Sequence, residues 1–166
     1  MRIALGSDHA GVELKTRVKQ ALDDRHLEYH DFGPSTDSPV DYPDYAVRVA
    51  ESVSIGQYDR GILICGTGVG MAIAANKVPG IRAAQVADRD GARLSREHNN
   101  ANVLTLGART TSVDGALDII DTFLATPFGW EHHQRRVDKI MALEEGRVAP
   151  VPHSAPSAVR ENKPQR

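Results

Sequence analysis

Apolar residues in this chain switch repeatedly between strand-like runs and helical spacing. Arg2 to Ser7 is a short apolar run, and Val12, Leu14, Val18, Ala21 and Leu22 then recur at mostly helical spacing, which predicts strand, loop and helix. Glu28 to Phe32 predicts a weaker strand closed by Gly33-Pro34 and a polar loop through Asp41, and helical spacing resumes from Tyr45 to Val53. Gly61 to Cys65 is a continuous branched apolar run ahead of glycines, which suits a strand buried on both faces of a parallel sheet. Met71 to Asn76 reads as helix, Arg82 to Val86 as strand, Asp88 to His98 as helix, and Val103 to Leu106 as a fifth strand ending at Gly107. Helices over Asp114 to Ala125 and Trp130 to Glu145 complete the order.

Strands that alternate with helices imply right-handed crossovers. The expected fold is therefore α/β, a three-layer α/β/α Rossmann-like sandwich around a five-stranded parallel sheet. Ligands of such sheets bind beyond the carboxyl ends of the strands. That rule singles out Gly6 to Gly11, Cys65 to Gly70 and Gly107 to Thr111. Residues 1–146 are expected to form the domain. Residues 147–166, with prolines 150, 152, 156 and 164 and few large apolar side chains, are expected to be a disordered tail.

Charge and composition narrow the partners. Twenty Lys and Arg against 22 Asp and Glu leave a net charge of −2, so neither nucleic acid nor a membrane surface is an expected partner. Ile3-Ala4-Leu5 is too short for a signal-peptide core, and no stretch approaches the length of a membrane span. The single cysteine, Cys65, has no internal disulfide partner. The expected location is the cytoplasm.

The segment Cys65-Gly66-Thr67-Gly68-Val69-Gly70 ends a strand and opens a helix, so its amides should favour anionic oxygen. Met71 stands where the dinucleotide fingerprint needs its third glycine, and also where a phosphocysteine enzyme needs arginine. The Gly-Lys-Ser/Thr of a P-loop is missing too. What remains is a thiol beside an anion hole, and a helix N-terminus favours a thiolate that could serve as base or nucleophile. A lone cysteine at a strand end can equally be a small buried apolar residue, although so open a glycine loop would weaken a purely structural junction.

Among the histidines, His9 follows the first strand. His98 sits where a helix breaks into an asparagine-rich turn, where it could simply complement the helix dipole. His132 and Arg136 share one helical face, a spacing that fits either a solvated surface or a phosphate grip. No set of ligand-type residues has convincing metal spacing, so no metal or other cofactor is expected.

Six motifs in order resemble one family: Gly6-Ser7-Asp8-His9-Ala10-Gly11, Asp41-Tyr42-Pro43-Asp44-Tyr45-Ala46, Cys65 to Gly70, Ala74-Ala75-Asn76-Lys77, Gly80-Ile81-Arg82-Ala83-Ala84 and His98-Asn99-Asn100-Ala101-Asn102. Over residues 2 to 145 the chain is similar to the ribose-5-phosphate isomerase type B and galactose-6-phosphate isomerase (RpiB/LacAB) family. The resemblance implies a cofactor-free aldose–ketose isomerase acting through an enediolate, in a homodimer or tetramer whose sites combine residues of two subunits. It implies Cys65 as the base, Thr67 as proton carrier between the enediolate oxygens and His98 as the ring-opening group. The amides of Gly66, Thr67, Gly68, Val69 and Gly70 would hold the oxyanion. Asp8 and Asn99 would hold sugar hydroxyls, and His9, Arg109 and Arg136 the phosphate.

A second branch of the family uses a glutamate later in the glycine loop, but Ala72, Ile73 and Ala74 offer no carboxylate here. The family commonly has arginine where this chain has His132, and imidazole lacks the permanently charged fork of guanidinium. The leading expectation is interconversion of ribose 5-phosphate and ribulose 5-phosphate. Isomerisation of erythrulose 4-phosphate, allose 6-phosphate or galactose 6-phosphate, and phosphosugar binding without turnover, are the alternatives.

Overall fold

Five strands, β1 (Arg2–Ser7), β2 (Glu28–Asp31), β3 (Arg60–Cys65), β4 (Ala83–Gln85) and β5 (Val103–Gly107), pair in parallel in the order β2-β1-β3-β5-β4. Among the described residues six helices accompany them: α1 (Val12–Asp24), α2 (Tyr42–Ser54), α3 (Val69–Ala75), α4 (Arg89–Asn99), α5 (Val113–Ala125) and α6 (Glu131–Glu144). A turn of 3-10 helix, His9–Gly11, joins β1 to α1. The structure is a computed structural model and describes residues 1–129, 131–144 and 146. The expected disordered tail over 147–166, like the expected helix ends at Trp130 and Glu145, lies outside the described residues.

The strand order fixes the layers. From β1 the chain steps to the β2 edge, returns past β1 to β3, goes on to the far edge at β4, and comes back inward to β5. A right-handed crossover puts its helix on one face for steps in one direction and on the opposite face for the reverse. Accordingly Ile3, Leu5, Ile62, Ile64, Leu104 and Leu106 pack with α1, α4 and α5. Ala4, Leu63, Cys65 and Val103 pack with α2 and α3. The expected three-layer α/β/α sandwich is the one observed, and β3, buried from Gly61 to Cys65, is apolar on both faces.

Some element boundaries differ from the sequence expectation. Helix α2 begins at Tyr42, three residues before its apolar periodicity, because Pro43 supplies a preset φ in the first turn. Helix α3 begins at Val69. Strand β4 shrinks to three residues as asparagine side chains take over its backbone partners. The Asn76 amide bonds both Ala83 N–H (2.8 Å) and Ala83 C=O (2.9 Å), and Arg82 N–H donates to Asn102 Oδ1 at 2.8 Å. These side chains blunt an edge strand that would otherwise present open hydrogen-bonding groups.

One buried ionic network ties α1 to the loop after β2. Lys15, 2% exposed, donates to Asp31 Oδ1 at 2.7 Å and to Pro34 C=O at 2.6 Å. Lys19 and Gly33 N–H complete the Asp31 carboxylate's partners. Burial pushes Lys15 down, against the raising effect of Asp31. Burial also pushes Asp31 up, but donation from Lys15, Gly33 and Lys19 leaves it below its usual value.

Lys15→Met should cost about 2 kcal/mol, below the roughly 3–5 kcal/mol for a fully buried pair, because Asp31 is partly exposed and keeps Lys19. A depressed carboxylate stabilises the fold above its unfolded pKa, and that contribution is lost as pH falls through the folded value. The deficit of Lys15→Met in urea denaturation should therefore be larger at pH 7 than below the ordinary carboxylate value of 3.8.

Candidate active site

At the carboxyl edge of the sheet, three adjacent strand ends converge. Asp8 N–H donates to Ile64 C=O at 3.0 Å, Ala108 N–H to Cys65 C=O at 2.8 Å and Arg109 N–H to Gly66 C=O at 3.0 Å. These bonds hold the segments after β1, β3 and β5 side by side. Asp8 is buried and its Oδ1 accepts Gly11 N–H at 3.1 Å. Half-buried His9 accepts Val40 N–H on Nδ1 at 3.3 Å, so the loop secured by Lys15 also orients this imidazole. Arg109 lies over Gly66, where a Cβ would sit 3.4 Å from Nη1.

Cys65 is 4% exposed, and its Sγ accepts Gly68 N–H at 3.1 Å. That amide therefore turns onto the sulfur. Gly68 has φ +79°, and a Cβ there would meet the Leu106 carbonyl carbon at 2.9 Å, so both conformation and space require glycine. Thr105 Oγ1 donates to Gly68 C=O at 2.9 Å and pins the loop from β5. Tyr42 pins it from α2, since its ring would stand 2.8 Å from a Cβ on Gly70. Thr67 is exposed at the rim, its Oγ1 accepting a long bond from Val69 N–H at 3.4 Å.

The remaining candidates lie at the opposite end of the sheet. Helix α4 starts after the carboxyl end of β4 and ends beside the first residues of β3 and β5. Gly61 N–H donates to Asn102 C=O at 2.9 Å, and the Arg82 Nε donates to Asn99 and Asn100 C=O at 3.1 and 3.0 Å. Four strand steps of about 3.3 Å separate Gly61 from Cys65, so His98 and Asn99 stand more than about 10 Å from the thiol of their own chain. Helix α6 packs across this amino edge. His133 stacks on His98 with centroids 4.2 Å apart and planes at 17°, and His132 meets His133 at 4.0 Å and 44°. Arg136, one turn beyond His132, is exposed.

The candidates thus form two groups. Asp8, His9, Cys65 to Gly70 and Arg109 share the carboxyl edge, while His98, Asn99, His132 and Arg136 share the amino edge. One residue of each group, His9 and Asn99, lines a hollow. A cavity of about 500 Å³ opens beside His9, lined also by Glu13, Ser35, Thr36 and Asp37. Another of about 240 Å³ is lined by Asn76, Arg82, Asn99 and Ile140 among others. Among the described residues no group of three or more His, Cys, Asp or Glu is arranged to hold a metal ion, and no helix is long and apolar enough to cross a membrane.

Tyr42, Thr105 and His133 carry no role in the sequence reading, yet all three fix site residues. Tyr42 belongs to a recognisable motif. Nothing in the sequence links His133 to His98, because their contact exists only where α6 lies on α4.

A family model described as Ribose/Galactose Isomerase matches residues 3–140. Ribose-5-phosphate isomerase B of Escherichia coli is 44% identical over 146 residues, 88% of this chain and 98% of that protein. D-erythrulose-4-phosphate isomerase of Pectobacterium atrosepticum is 41% identical over 142 residues, 84% of this chain and 93% of that protein. The structure of ribose-5-phosphate isomerase B from Clostridium thermocellum superposes with a TM-score of 0.87 at 51% identity, covering 88% of this chain and 99% of that one. The Mycoplasma genitalium enzyme, solved with bound ribulose 5-phosphate, superposes at 0.84 with 44% identity, covering 87% of this chain and 96% of that one.

Proposed function

The chain belongs to the ribose/galactose isomerase (RpiB/LacAB) family of sugar-phosphate isomerases, and from that membership we propose that it interconverts ribose 5-phosphate and ribulose 5-phosphate in sites shared by two subunits. The observation that carries the shared site is the split of the candidate residues between opposite edges of one sheet. A second copy brings His98, Asn99, His132 and Arg136 to the thiol that the first copy cannot reach with its own. Tyr42, Val69 and Ile73, which are 41%, 49% and 59% exposed around the glycine loop, supply an apolar surface for that approach.

In this reading His98 assists opening of the furanose ring. Cys65, as thiolate, then takes the proton from C2 of the open-chain aldose, and the electron pair passes through C2–C1 to give an enediolate. Loop amides stabilise its oxyanion. Thr67 Oγ passes a proton from O2 to O1, and the Cys65 thiol returns its proton to C1 to leave the ketose. Nothing is oxidised or reduced overall, so the chemistry needs no external electron carrier. Arg109 and His9 from one subunit, with Arg136 and His132 from the other, hold the phosphate.

The sugar's length is the open variable, because His132 replaces an expected arginine and a relative at 41% identity bears the name of a four-carbon phosphosugar isomerase. The purified protein should be assayed on ribose 5-phosphate, erythrulose 4-phosphate, allose 6-phosphate and galactose 6-phosphate. The highest kcat/KM is expected on ribose 5-phosphate. Preference for a four- or six-carbon substrate would overturn the substrate assignment, and binding without turnover of any would overturn the catalytic one.

A further inference from the structure

We infer that His133 is a positioning residue for His98, an inference that rests on the proposed isomerase reading and assigns the α6 imidazole a part in it. His98 lies in the last turn of α4 and is exposed, so an isolated side chain there would turn about both its χ angles. The His133 ring removes that freedom. It lies face to face with His98, with a centroid separation of 4.2 Å and an interplanar angle of 17°.

The kind of contact matters as much as its presence. An edge-to-face partner would cover one edge of the imidazole. A parallel partner covers one face and leaves the edges, where both nitrogens lie, at the rim of the stack. His98 is thereby held in one plane with its proton-exchanging atoms uncovered, as a ring-opening group must be. His133 is itself half-buried and backed by His132, whose ring meets it at 4.0 Å. The element that holds the stack is α6, the helix that also carries Arg136. Positioning of His98 and of the phosphate grip is therefore mechanically linked.

Chemistry provides a selective readout. Ribose 5-phosphate is chiefly a furanose and must open. Ribulose 5-phosphate cannot form that ring, because its 5-hydroxyl carries the phosphate. Loss of His98 positioning should therefore slow isomerisation of ribose 5-phosphate more than enzyme-catalysed exchange of the C1 proton of ribulose 5-phosphate with solvent, which needs no ring opening, whereas general damage to the fold slows both alike.

The test compares full-length His133→Ala, His133→Leu and His133→Phe. In His133→Ala and His133→Leu, kcat/KM for isomerisation of ribose 5-phosphate should fall at least about tenfold relative to the rate at which the enzyme exchanges the C1 proton of ribulose 5-phosphate with deuterium oxide. His133→Phe, which keeps a flat ring against His98, should restore the wild-type ratio to within about threefold. If His133→Ala does not fold, the Leu and Phe pair decides. An unchanged ratio in every folded variant, or equal behaviour of Leu and Phe, would overturn the inference.

Nuclear magnetic resonance reads the same point without turnover. The His98 ring protons should lose their aromatic ring-current shift in His133→Leu and keep it in His133→Phe. Failure of the wild-type protein to isomerise any phosphosugar would instead remove the functional reading. Retention of the His98 shift in His133→Leu would remove the positioning itself.

Discussion

Cys65→Ser should lower kcat by about a thousandfold, the scale of a positioned general base, while KM changes little. Serine preserves the side-chain size at a site that is 4% exposed, and its oxygen can still accept the Gly68 N–H. The loop pinned by Thr105 and Tyr42 should remain, and with it the amides proposed to hold the oxyanion. What is lost is basicity compatible with neutral pH, because an alcohol ionises far less readily than a thiol. A fall in kcat without a matching rise in KM is the signature of a group needed only for the chemical step. Steady-state kinetics in both directions measures it. Activity within a few-fold of wild type would move the base role to another residue.

An equally large effect is expected from combining two inactive chains. Cys65 and His98 lie at opposite edges of the sheet, so in the proposed homodimer with shared sites Cys65→Ala or His98→Asn alone damages both sites. In a mixed dimer both lesions fall in one site and the other is intact. Random reassortment makes half of the dimers mixed, which predicts recovery of about a quarter of wild-type activity from near zero. Co-expression with separate affinity tags, followed by isolation of the mixed species, measures this directly. If each chain builds its site alone, the isolated mixed dimer should show no recovery.

The fold was legible where one physical effect dominated. Gly61 to Cys65 declares a strand covered on both sides because no polar residue interrupts it. The alternation of strand and helix then leaves the parallel sheet as the natural solution. The start of α2 is less visible, because its first turn is carried by Tyr42-Pro43 and buries little. The short β4 depends on Asn76 and Asn102, whose side chains reach its backbone from elsewhere in the sequence.

The site divides in the same way. Cys65 and its glycines form a contiguous motif, and the need for glycine at position 68 follows from a local φ of +79°. The pairing of His98 with His133, and the distance of both from Cys65, come from where α4 ends and α6 crosses. Such tertiary relations leave no local periodicity to detect. His132 shows the limit most clearly. Its sequence position suggests a phosphate contact, and the structure adds a tilted ring contact with His133, 4.0 Å between centroids, that no spacing in the sequence announces.

The most direct measurement of the isomerase chemistry is conversion of ribose 5-phosphate in deuterium oxide by the wild-type protein, followed by nuclear magnetic resonance. Proton abstraction by Cys65 and return to the adjacent carbon predicts ribulose 5-phosphate carrying solvent deuterium at C1, with exchange and conversion both slowed about a thousandfold in Cys65→Ser. Absence of conversion, or conversion without any solvent deuterium at C1 under conditions where the thiol exchanges freely with water, would contradict the enediolate route through Cys65.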